Sequence, residues 1–400
     1  MFKFLEGVRI VELGHILLGP HATQTLGDFG AEVIKIEAPQ GDIYRDIGIK
    51  KAPKMSAQWM SCNRNKQSVV IDLKTDGGKS LAKSLIKDSD VFVHNMRPFA
   101  VAKLGLDYDS LAQLNSRLVY CFSSGFGQSG PYKDYPAFDD VIQSYSGLAA
   151  VNGHNLGRPQ FVPVAITDHV TSMNLVQAVL AGLFRQRATG LGCMVEVPMY
   201  ETMVSTIMNQ HLSGKTFKPA ESGVGYPRML AESRKPCRTS DGFVVHGVYS
   251  FKHWEAFLPA VDRVDILESG LLDDANSLAA NISKLYEIVA LEIMPLKTTM
   301  QWLELMEQLD IPCAPVKSLD DLLEDQHLCA VDLFQSVEHP TQGLITQLRH
   351  PMSVRGVSVA PDTLPPELGA DTINVLKNSG YALDEISSML SAGVIRAQDQ

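Results

Sequence analysis

The stretch VRIVELGHILLGPHATQTLGDFGAEVIKIE, residues 8–37, decides the fold of the N-terminal half of the chain. It begins with the β-branched run VRIVEL (8–13), passes through the turn GHILLGP, and continues as a helical segment that ends at Gly30. The segment AEVIKIE (31–37) then alternates apolar and polar residues, as a strand does. A strand, a helix and a second strand in succession predict a βαβ unit.

The same pattern continues beyond this unit. The runs QSVVIDL (67–73), DVFVHN (90–95) and the start of RLVYCFSSGFG (117–127) have the composition of strands, and DGGKSLAKSLIKDSD between the first two has helical spacing. Strands that alternate with helices are typical of a parallel sheet. We therefore predict an α/β fold, with a Rossmann-like domain and a largely parallel sheet over roughly residues 5–200.

A different pattern follows in the second half of the chain. PCRTSDGFVVHGVY (236–249) predicts a hairpin around the turn SDG, helical segments follow it, and TINVLKNSGYALDEISSMLSAGVI (372–395) predicts two short helices. A chain of 400 residues also exceeds what one hydrophobic core usually serves. The domains that we expect are a large Rossmann-like domain over 1–205, a linker over 206–225, a small α+β domain over 226–315, and a second linker with a C-terminal return to the large domain over 316–400.

Composition and charge exclude several functional classes. A net charge of −10 argues against nucleic acid or an anionic membrane as the main partner. The N-terminus lacks the pattern of a signal peptide, and the best apolar run, MNLVQAVLAGLF (173–184), is shorter than the ~18 residues that a membrane span needs. The six cysteines are scattered, with no spacing suited to zinc. We expect a cytoplasmic protein with reduced thiols and no metal site.

The opening βαβ unit resembles a dinucleotide-binding motif, but its turn does not fit one. Gly14 and Gly19 do not form a G-x-G-x-x-G pattern, so the backbone cannot approach a pyrophosphate in the usual way. Pro20 fits the first turn of the following helix, where its missing N–H group costs little. The sequence therefore predicts the architecture without bound NAD, and we expect no tightly bound cofactor.

Eight motifs appear in order along the first half of the chain. They are LEGVRIVEL (5–13), GDFGAEVIKIEAPQGD (27–42), NRNKQSVVIDLKT (63–75), VFVHNMRP (91–98), LGLDYDSL (104–111), SGFGQSGPY (124–132), PAFDDVIQSYSG (136–147) and TGLGCMVEVPMYE (189–201). In this order they resemble the class III CoA-transferase family, which includes formyl-CoA and carnitine CoA-transferases and the related α-methylacyl-CoA racemases. Each motif alone is weak evidence, but the order of the eight is specific. The resemblance continues through IPCAPVKSLDDLLEDQHL (311–328) to LGADTINVLKNSGY (368–381) and so covers nearly the whole chain.

The resemblance implies that Asp168 is the catalytic nucleophile. In the family an aspartate precedes a long apolar helix, in a stretch that matches VAITDHVTSMNLVQAVLAGL. On local grounds alone Asp168 is better interpreted as a helix N-cap, for which aspartate is a preferred residue. The implied reaction moves CoA from an acyl-CoA to a free carboxylic acid, through an aspartyl mixed anhydride and an aspartyl-CoA thioester, with neither ATP nor metal.

Coenzyme A and acyl-CoA are accordingly expected as substrates. By family position, Arg97 and Lys103 lie near the adenine nucleotide end of CoA, and Asn95 lies on the same exit from a strand. His15 and Phe138 occupy positions that line the reacting region in the family. Without the resemblance, His15 is an ordinary loop histidine and the cations are ordinary surface residues.

The region before the hairpin holds the candidates for substrate binding. Gly223 and Gly225, in SGVG, are interpreted as oxyanion donors or as a flexible linker. Arg228, Arg234 and Arg238 are interpreted as a site for the second carboxylate of a dicarboxylic acid, or as solvated charges. Either interpretation stays open at this point.

Some residues of this chain differ from the family pattern, and the differences argue against certain substrates and reactions of the family. Formyl-CoA transferases carry a glutamine at the position of Leu17, which argues against formate or oxalate as the default substrates. Racemases of the family use a histidine in a GHD turn, where this chain has AFD (137–139), and His169 is poorly placed to share a target with Asp168. A racemase and a non-catalytic CoA-binding protein remain the alternatives. The resemblance also implies a homodimer of two interlocked ring-shaped subunits.

Overall fold

We describe residues 1–398 of a computed structural model of the chain, apart from the side chains of residues 275 and 276. The described chain divides into two compact units. The first comprises residues 1–150, 160–207 and 332 onward, and the second comprises residues 151–159 and 208–331. The strands in chain order are β1 (Arg9–Leu13), β2 (Glu32–Glu37), β3 (Lys66–Ile71), β4 (Val91–His94), β5 (Val119–Phe122), β6 (Cys193–Glu196), β7 (Cys237–Arg238), β8 (Phe243–His246), β9 (Cys313–Pro315), β10 (Phe334–His339), β11 (Gly343–Leu348) and β12 (Ile395–Arg396).

Helices connect most of these strands. They are α1 (Leu18–Asp28), α2 (Ala57–Met60), α3 (Asp76–Lys87), α4 (Pro98–Lys103), α5 (Tyr108–Ala112), α6 (Asp139–Tyr145), α7 (Leu148–Asn152), α8 (Ile166–Thr189), α9 (Met199–His211), α10 (Pro227–Leu230), α11 (Phe251–Ala260), α12 (Val264–Leu267), α13 (Ala275–Ile288), α14 (Thr299–Gln308), α15 (Leu319–Leu323), α16 (Gln326–Ala330), α17 (Thr372–Asn378) and α18 (Leu383–Ser391). Short 3₁₀ turns occupy Ile43–Asp46, His154–Leu156, Ser213–Thr216 and Met294–Leu296, and a π turn occupies Val289–Ile293.

The first unit is built on one mixed sheet. Its strand order is β12-β3-β2-β1-β4-β5-β6, and every pair is parallel except β12 with β3, which is antiparallel. The parallel part has the order of a doubly wound, Rossmann-like sheet, with its direction of winding reversed between β1 and β4. The prediction of an α/β fold with a largely parallel sheet is confirmed.

Apolar residues at helical spacing attach helices to one face of this sheet. Leu18, Ala22 and Leu26 of α1 are buried, and Leu175 and Val179 of α8 are buried in the same cluster. A Cβ atom on Gly182 of α8 would lie 2.4 Å from Val119 Cγ1, so glycine allows the helix to approach β5 closely.

The opposite face of the sheet is covered by α3, α17 and α18. Leu81 and Leu85 of α3 pack in one cluster with Leu376 of α17 and Ile386 of α18. Because α17 and α18 belong to the C-terminal part of the chain, this packing and the edge strand β12 fix the C-terminus to the sheet. The two short C-terminal helices that the sequence predicted are present at Thr372–Asn378 and Leu383–Ser391.

The second unit has its own core around a small antiparallel sheet. Strands β7, β8 and β9 pair in that order, and β7 and β8 form the hairpin that the sequence predicted around SDG. Trp254 and Phe257 of α11 and Trp302 of α14 are fully buried beside this sheet. Burying several aromatic side chains supplies the unit with a hydrophobic core separate from that of the first unit.

Candidate active site

A cavity of about 310 Å³ opens in the first unit where β1 and β4 end. This is the point at which the winding of the sheet reverses, and open α/β sheets bind ligands in the crevice at such a point. The cavity walls come from the β1–α1 loop, the ends of β4 and β5, the loop before α6 and the start of α8. The lining residues are His15, Ile16, Leu17, Leu18, Asn95, Arg97, Ser123, Ser124, Gly125, Tyr135, Pro136, Ala137, Phe138, Asp168 and Met199.

Asn95 joins the two strand ends that border this cavity. Its Oδ1 atom accepts a hydrogen bond of 2.8 Å from the His15 N–H group, and its Nδ2 atom donates one of 2.9 Å to the His15 carbonyl. The amide of Asn95 therefore holds the β1–α1 loop in place. Asn95 also lines the cavity, so the assignment of Asn95 to the CoA-binding site stays a prediction.

The β1–α1 loop contains a strained residue that a buried charge network fixes. Ile16 has a φ of 64°, which is unfavourable for a β-branched side chain. Its N–H group lies 3.1 Å from Asp42 Oδ1, and Asp42 is paired with Lys35 at 3.2 Å. Lys35, which is fully buried, also donates to Glu12 Oε1 at 2.8 Å and to the Gly14 carbonyl at 2.7 Å. These contacts stabilise the loop and offset the strain of the Ile16 backbone.

Asp168 lies in the first turn of α8, and it is not the helix cap. Ala165 is the N-cap residue and makes no side-chain hydrogen bond there. The carboxylate of Asp139 caps the helix instead: its Oδ2 atom accepts from Thr167 N at 2.7 Å and from Asp168 N at 3.1 Å. The interpretation of Asp168 as a cap was therefore wrong, because a second aspartate from α6 occupies that role. The Asp168 side chain is left free to line the cavity.

The protonation of Asp168 is strongly perturbed. Burial, and then the nearby carboxylate of Asp139, raise the pKa of Asp168 to about 7. The positive end of the α8 dipole favours the ionised form, but burial and the like charge dominate. The charge of Asp168 also acts on Tyr44. Burial, and then the charges of Cys62 and Asp168, raise the pKa of Tyr44 to about 12. A partly buried carboxylate with such a pKa, inside a cavity, has the character of a reactive group.

Two exposed cations flank the exit from β4. The Arg97 guanidinium lies 4.8 Å from the centre of the Phe99 ring, and Lys103 Nζ lies 5.4 Å from the same ring. Neither cation forms an ion pair with any residue in the range 1–398. Arg97 lines the cavity, whereas Lys103 lies outside its lining, and Phe138 is 69% exposed on the opposite wall.

His15 also lines this cavity. Burial lowers the pKa of His15, and the charge of Lys35 acts in the same direction. The imidazole is therefore neutral at physiological pH. A neutral ring can contact an apolar or amide-containing ligand without the cost of a buried charge.

The remaining candidates lie in the second unit. Gly223 is open to solvent, but the Gly225 N–H group donates to the His211 carbonyl at 2.8 Å, so it is not available to an oxyanion in this conformation. Arg228 and Arg234 line a separate cavity of about 450 Å³. Arg238, on β7, is exposed and does not belong to that lining.

A search of the described side chains finds no group of three or more histidine, cysteine or acidic residues that could hold a metal ion. None of the helices described here is both long enough and apolar enough to cross a membrane.

Comparison with known proteins places the chain in a family. The family model described as CoA-transferase family III matches residues 5–372. This protein belongs to CoA-transferase family III. The resemblance seen in the ordered motifs of the sequence is thereby confirmed.

Relatives of this family III protein are named as CoA-transferases for several acids. It is 30% identical to the human succinyl-CoA:glutarate CoA-transferase, over 98% of this chain and 90% of the relative. It is likewise 30% identical to the succinate–glutarate CoA-transferase of Agrobacterium fabrum, over 93% of this chain and 94% of the relative. It is 28% identical to the formyl-CoA:oxalate CoA-transferase of Streptomyces coelicolor, over 98% and 99% of the two chains.

Solved structures show the same fold. The structure of Rv3272 from Mycobacterium tuberculosis matches with a TM-score of 0.81 and 27% identity, over 93% of this chain and 99% of that one. A CaiB/BaiF family protein from Brucella suis matches with a TM-score of 0.78 and 25% identity, over 95% of this chain and all of that one. The family III fold therefore extends over nearly the entire chain.

Sequence reasoning missed two residues that hold the walls of this cavity, Asp139 and Asp42. Asp139 was visible within the motif PAFDD, but its role as the cap of α8 depends on a contact across 28 residues of chain. Asp42, at the end of the motif that begins GDFGAEV, supports Ile16 across 26 residues. An acidic residue within a motif was the available signal, but the partner of each carboxylate is a backbone N–H group that no sequence pattern marks.

Proposed function

We propose that this protein is a CoA-transferase that moves CoA from an acyl-CoA thioester to a carboxylic acid, with Asp168 as the nucleophile. The observation that carries the proposal is the free Asp168 carboxylate in the cavity at the reversal of the sheet. Membership of family III and the printed names of the relatives support the same reaction class. Coenzyme A and acyl-CoA are substrates in this proposal, and no resident cofactor takes part.

The proposed chemistry conserves acyl activation through two covalent intermediates. The ionised Asp168 carboxylate attacks the thioester carbonyl, the C–S bond breaks, and CoA thiolate leaves behind an aspartyl–acyl mixed anhydride. The thiolate then attacks the aspartyl carbonyl, releases the donor carboxylate and forms an aspartyl-CoA thioester. The acceptor carboxylate attacks this thioester to form a new mixed anhydride and thiolate. Attack of the thiolate on the acceptor acyl group gives the new acyl-CoA and restores Asp168.

The cavity suits the two ends of an acyl-CoA. The cations Arg97 and Lys103 are unpaired in the described chain and can bind CoA phosphates at the exposed mouth. The apolar walls formed by Leu17, Ala137 and Phe138 can cover the thioester and limit its contact with water. Excluding water matters because water would hydrolyse the anhydride.

The acid substrate that we propose is a dicarboxylate. Relatives named for succinate and glutarate support this class. Leu17, in place of the glutamine of formyl-CoA transferases, argues against formate and oxalate, so we propose a longer dicarboxylate such as succinate or glutarate.

We also propose that the chain forms a homodimer of interlocked ring-shaped subunits, as the family resemblance implies. The path of the chain supports this proposal. The chain enters the second unit at residues 151–159 and again at 208–331, and it returns to the first unit each time, as a subunit with two linkers requires.

Trapping the covalent intermediate tests the proposed reaction. The protein is incubated with a panel of acyl-CoA thioesters, treated with hydroxylamine and analysed by peptide mass spectrometry. We expect a hydroxamate or a CoA adduct on the peptide that contains Asp168, and its complete loss in Asp168→Asn. The control is Asp140→Asn, an exposed carboxylate on α6, which should retain the adduct.

Other outcomes assign other functions. Deuterium exchange at the α-carbon of an acyl-CoA without any adduct would indicate a racemase. Saturable CoA binding with neither adduct nor exchange would indicate a CoA-binding protein without catalysis. Either result would overturn the transferase proposal.

A further inference from the structure

The second unit contains a cavity with an unusual excess of positive charge. Its volume is about 450 Å³, within the usual range for small-molecule sites. Three cations, Arg228, Arg234 and Lys235, belong to its lining, and none of the described lining residues is acidic. The walls also include Tyr249 and Tyr286, which offer aromatic surface.

The three cations are not neutralised by the protein. Within residues 1–398, none of them forms an ion pair with an acidic side chain. The Arg228 guanidinium lies 4.9 Å from the centre of the Tyr249 ring, which restricts its orientation. Burial raises the pKa of Tyr286, while the charges of Arg228 and Arg234 oppose this effect, so both guanidinium groups lie close to its hydroxyl. The positive charge is therefore concentrated in one place.

Two buried polar atoms of the lining, His246 Nδ1 and Ser233 Oγ, also lack a partner among the described residues. His246 is 9% exposed, and its Nδ1 atom has no hydrogen-bond partner among the described residues. Burial lowers the pKa of His246 to about 4, so its ring is neutral at physiological pH. Its ring meets Tyr286 edge to face, with ring centres 5.5 Å apart. A buried nitrogen without a partner is costly, which is a reason to expect a ligand or water there.

We propose that this cavity is a binding site for a small dicarboxylate, held by Arg228, Arg234 and Lys235. This inference rests on the proposed function for the class of acid, but the cavity lies wholly within the second unit and is argued from that unit alone. It changes the set of residues suggested by the sequence, because Lys235 enters the site and Arg238 leaves it.

The charge and the walls favour a dicarboxylate over other small molecules. Three cations in a lining that contains no acidic residue attract a dianion more strongly than a monoanion, although Glu232 and Glu287 line an adjoining cavity with Lys235. Guanidinium groups bind carboxylates through paired hydrogen bonds, and a short carbon chain fits against Tyr249, Met229 and Val245. A phosphate-bearing nucleotide carries a similar negative charge, so the experiment must distinguish a dicarboxylate from a nucleotide.

Calorimetric titration of the full-length protein with free acids tests the proposal. We expect succinate or glutarate to bind, butanoate to bind at least about tenfold more weakly, and the affinity to fall as salt concentration rises. Arg228→Gln, Arg234→Gln and Lys235→Gln should each weaken dicarboxylate binding by about tenfold, as expected for the loss of one charge-assisted contact. Arg238→Gln is the matched control, since it removes an exposed arginine that lies three residues after Lys235 and outside the lining, and it should leave the affinity unchanged.

Three results would overturn the assignment. The first is equal loss of binding in Arg238→Gln, which would indicate only a general effect of surface charge. The second is equal affinity for butanoate and glutarate. The third is tighter binding of adenosine 3′,5′-bisphosphate that the same three variants abolish, which would assign the cavity to a nucleotide.

The test is independent of the covalent chemistry. Binding of free acids needs neither CoA nor Asp168, so it can succeed even if no aspartyl adduct is found. In that case the dicarboxylate site in the second unit is supported and the transferase proposal is rejected. An adduct on Asp168 together with no dicarboxylate binding would retain the transferase and reject the cavity.

Discussion

At the scale of single residues, the start of α8 brings two carboxylates together for different purposes. Asp139 Oδ2 accepts hydrogen bonds from the N–H groups of Thr167 and Asp168, and Asp139 Oδ1 accepts one of 2.7 Å from Gln143 Nε2. Asp168 keeps its carboxylate in the cavity, where its pKa is raised to about 7. Two carboxylates in one site with different surroundings commonly have different roles. The hydrogen-bonded one positions the helix, and the free one is suited to react.

The raised pKa predicts how activity depends on pH. Because the proposed nucleophile must be ionised, kcat/KM should fall as the pH drops below about 7 and level off above it. Asp139→Asn removes the like charge and leaves Asp168 buried, so the pKa of Asp168 should decrease. The fall of kcat/KM on the acidic side of the pH profile, here called the acidic limb, should then move to lower pH. The measurement is kcat/KM for one acyl-CoA and acceptor pair across the acidic and neutral range.

The matched control for this shift is Asp140→Asn. Its side chain is exposed at the next position of α6, so its removal should leave the limb in place. The electrostatic account would be wrong if Asp139→Asn left the limb unmoved while the enzyme remained active. It would also be wrong if both variants moved the limb equally.

At the scale of elements, the β1–α1 loop links the buried charges to the cavity wall. Holding Ile16 in a left-handed conformation costs roughly 1–3 kcal/mol, which the surrounding contacts must offset. Asp42 supplies the acceptors for the Ile16 N–H group and also accepts from Tyr44 N at 3.0 Å. The loop therefore depends on a residue that lies outside it.

Asp42→Asn should weaken this loop measurably. The change keeps the size of the side chain but removes the charge that faces Lys35, so we expect the free energy of unfolding to fall by about 1–3 kcal/mol. Because the loop forms a wall of the cavity, KM for the acyl-CoA should rise as well. Urea denaturation and steady-state kinetics measure the two effects. Asp46→Asn, which removes an exposed partner of Lys50, is the control and should change neither; equal effects of the two variants would contradict a special role for Asp42.

Elements were predicted from the sequence where their signal is local. The β-branched runs at 8–13 and 31–37 and the helical spacing in 76–90 correspond to strands and a helix in the structure, because apolar periodicity reports directly which face is buried. The edge strand Ile395–Arg396 was not predicted, since two residues carry no periodicity and its pairing with β3 joins distant parts of the chain. The cap of α8 was assigned to the wrong aspartate for the same reason.

At the scale of the whole molecule, the cavity is assembled from segments that are far apart in sequence. The β1–α1 loop, the end of β4, the loop before α6 and the start of α8 meet only because the sheet is parallel and its winding reverses between β1 and β4. Of the residues that the family resemblance implied, the structure brings His15, Asn95, Arg97, Phe138 and Asp168 to this cavity, whereas Lys103 lies outside its lining. Their hydrogen bonds and pKa values depend on packing, and the sequence could not supply them.

The chain path makes the proposed interlocked dimer testable. Both ends of the chain are fixed to the first unit: the Met1 amino group donates to the Ala360 carbonyl at 2.7 Å, and β12 pairs with β3. The excursion through residues 208–331 also starts and finishes at that unit. If two such closed loops are linked, the subunits cannot separate until one of them opens by partial unfolding.

Subunit exchange should therefore be extremely slow under native conditions. We expect the protein to have the mass of a dimer by light scattering at every concentration tested. When tagged and untagged dimers are mixed, no mixed dimer should form over hours in native buffer, because exchange requires the C-terminal helices and β12 to detach from the sheet. Mixing in denaturant followed by refolding should give mixed dimers in about the statistical proportion. Rapid exchange in native buffer, or a monomer on dilution, would show that the subunits are not interlocked, while leaving the reaction proposed for Asp168 intact.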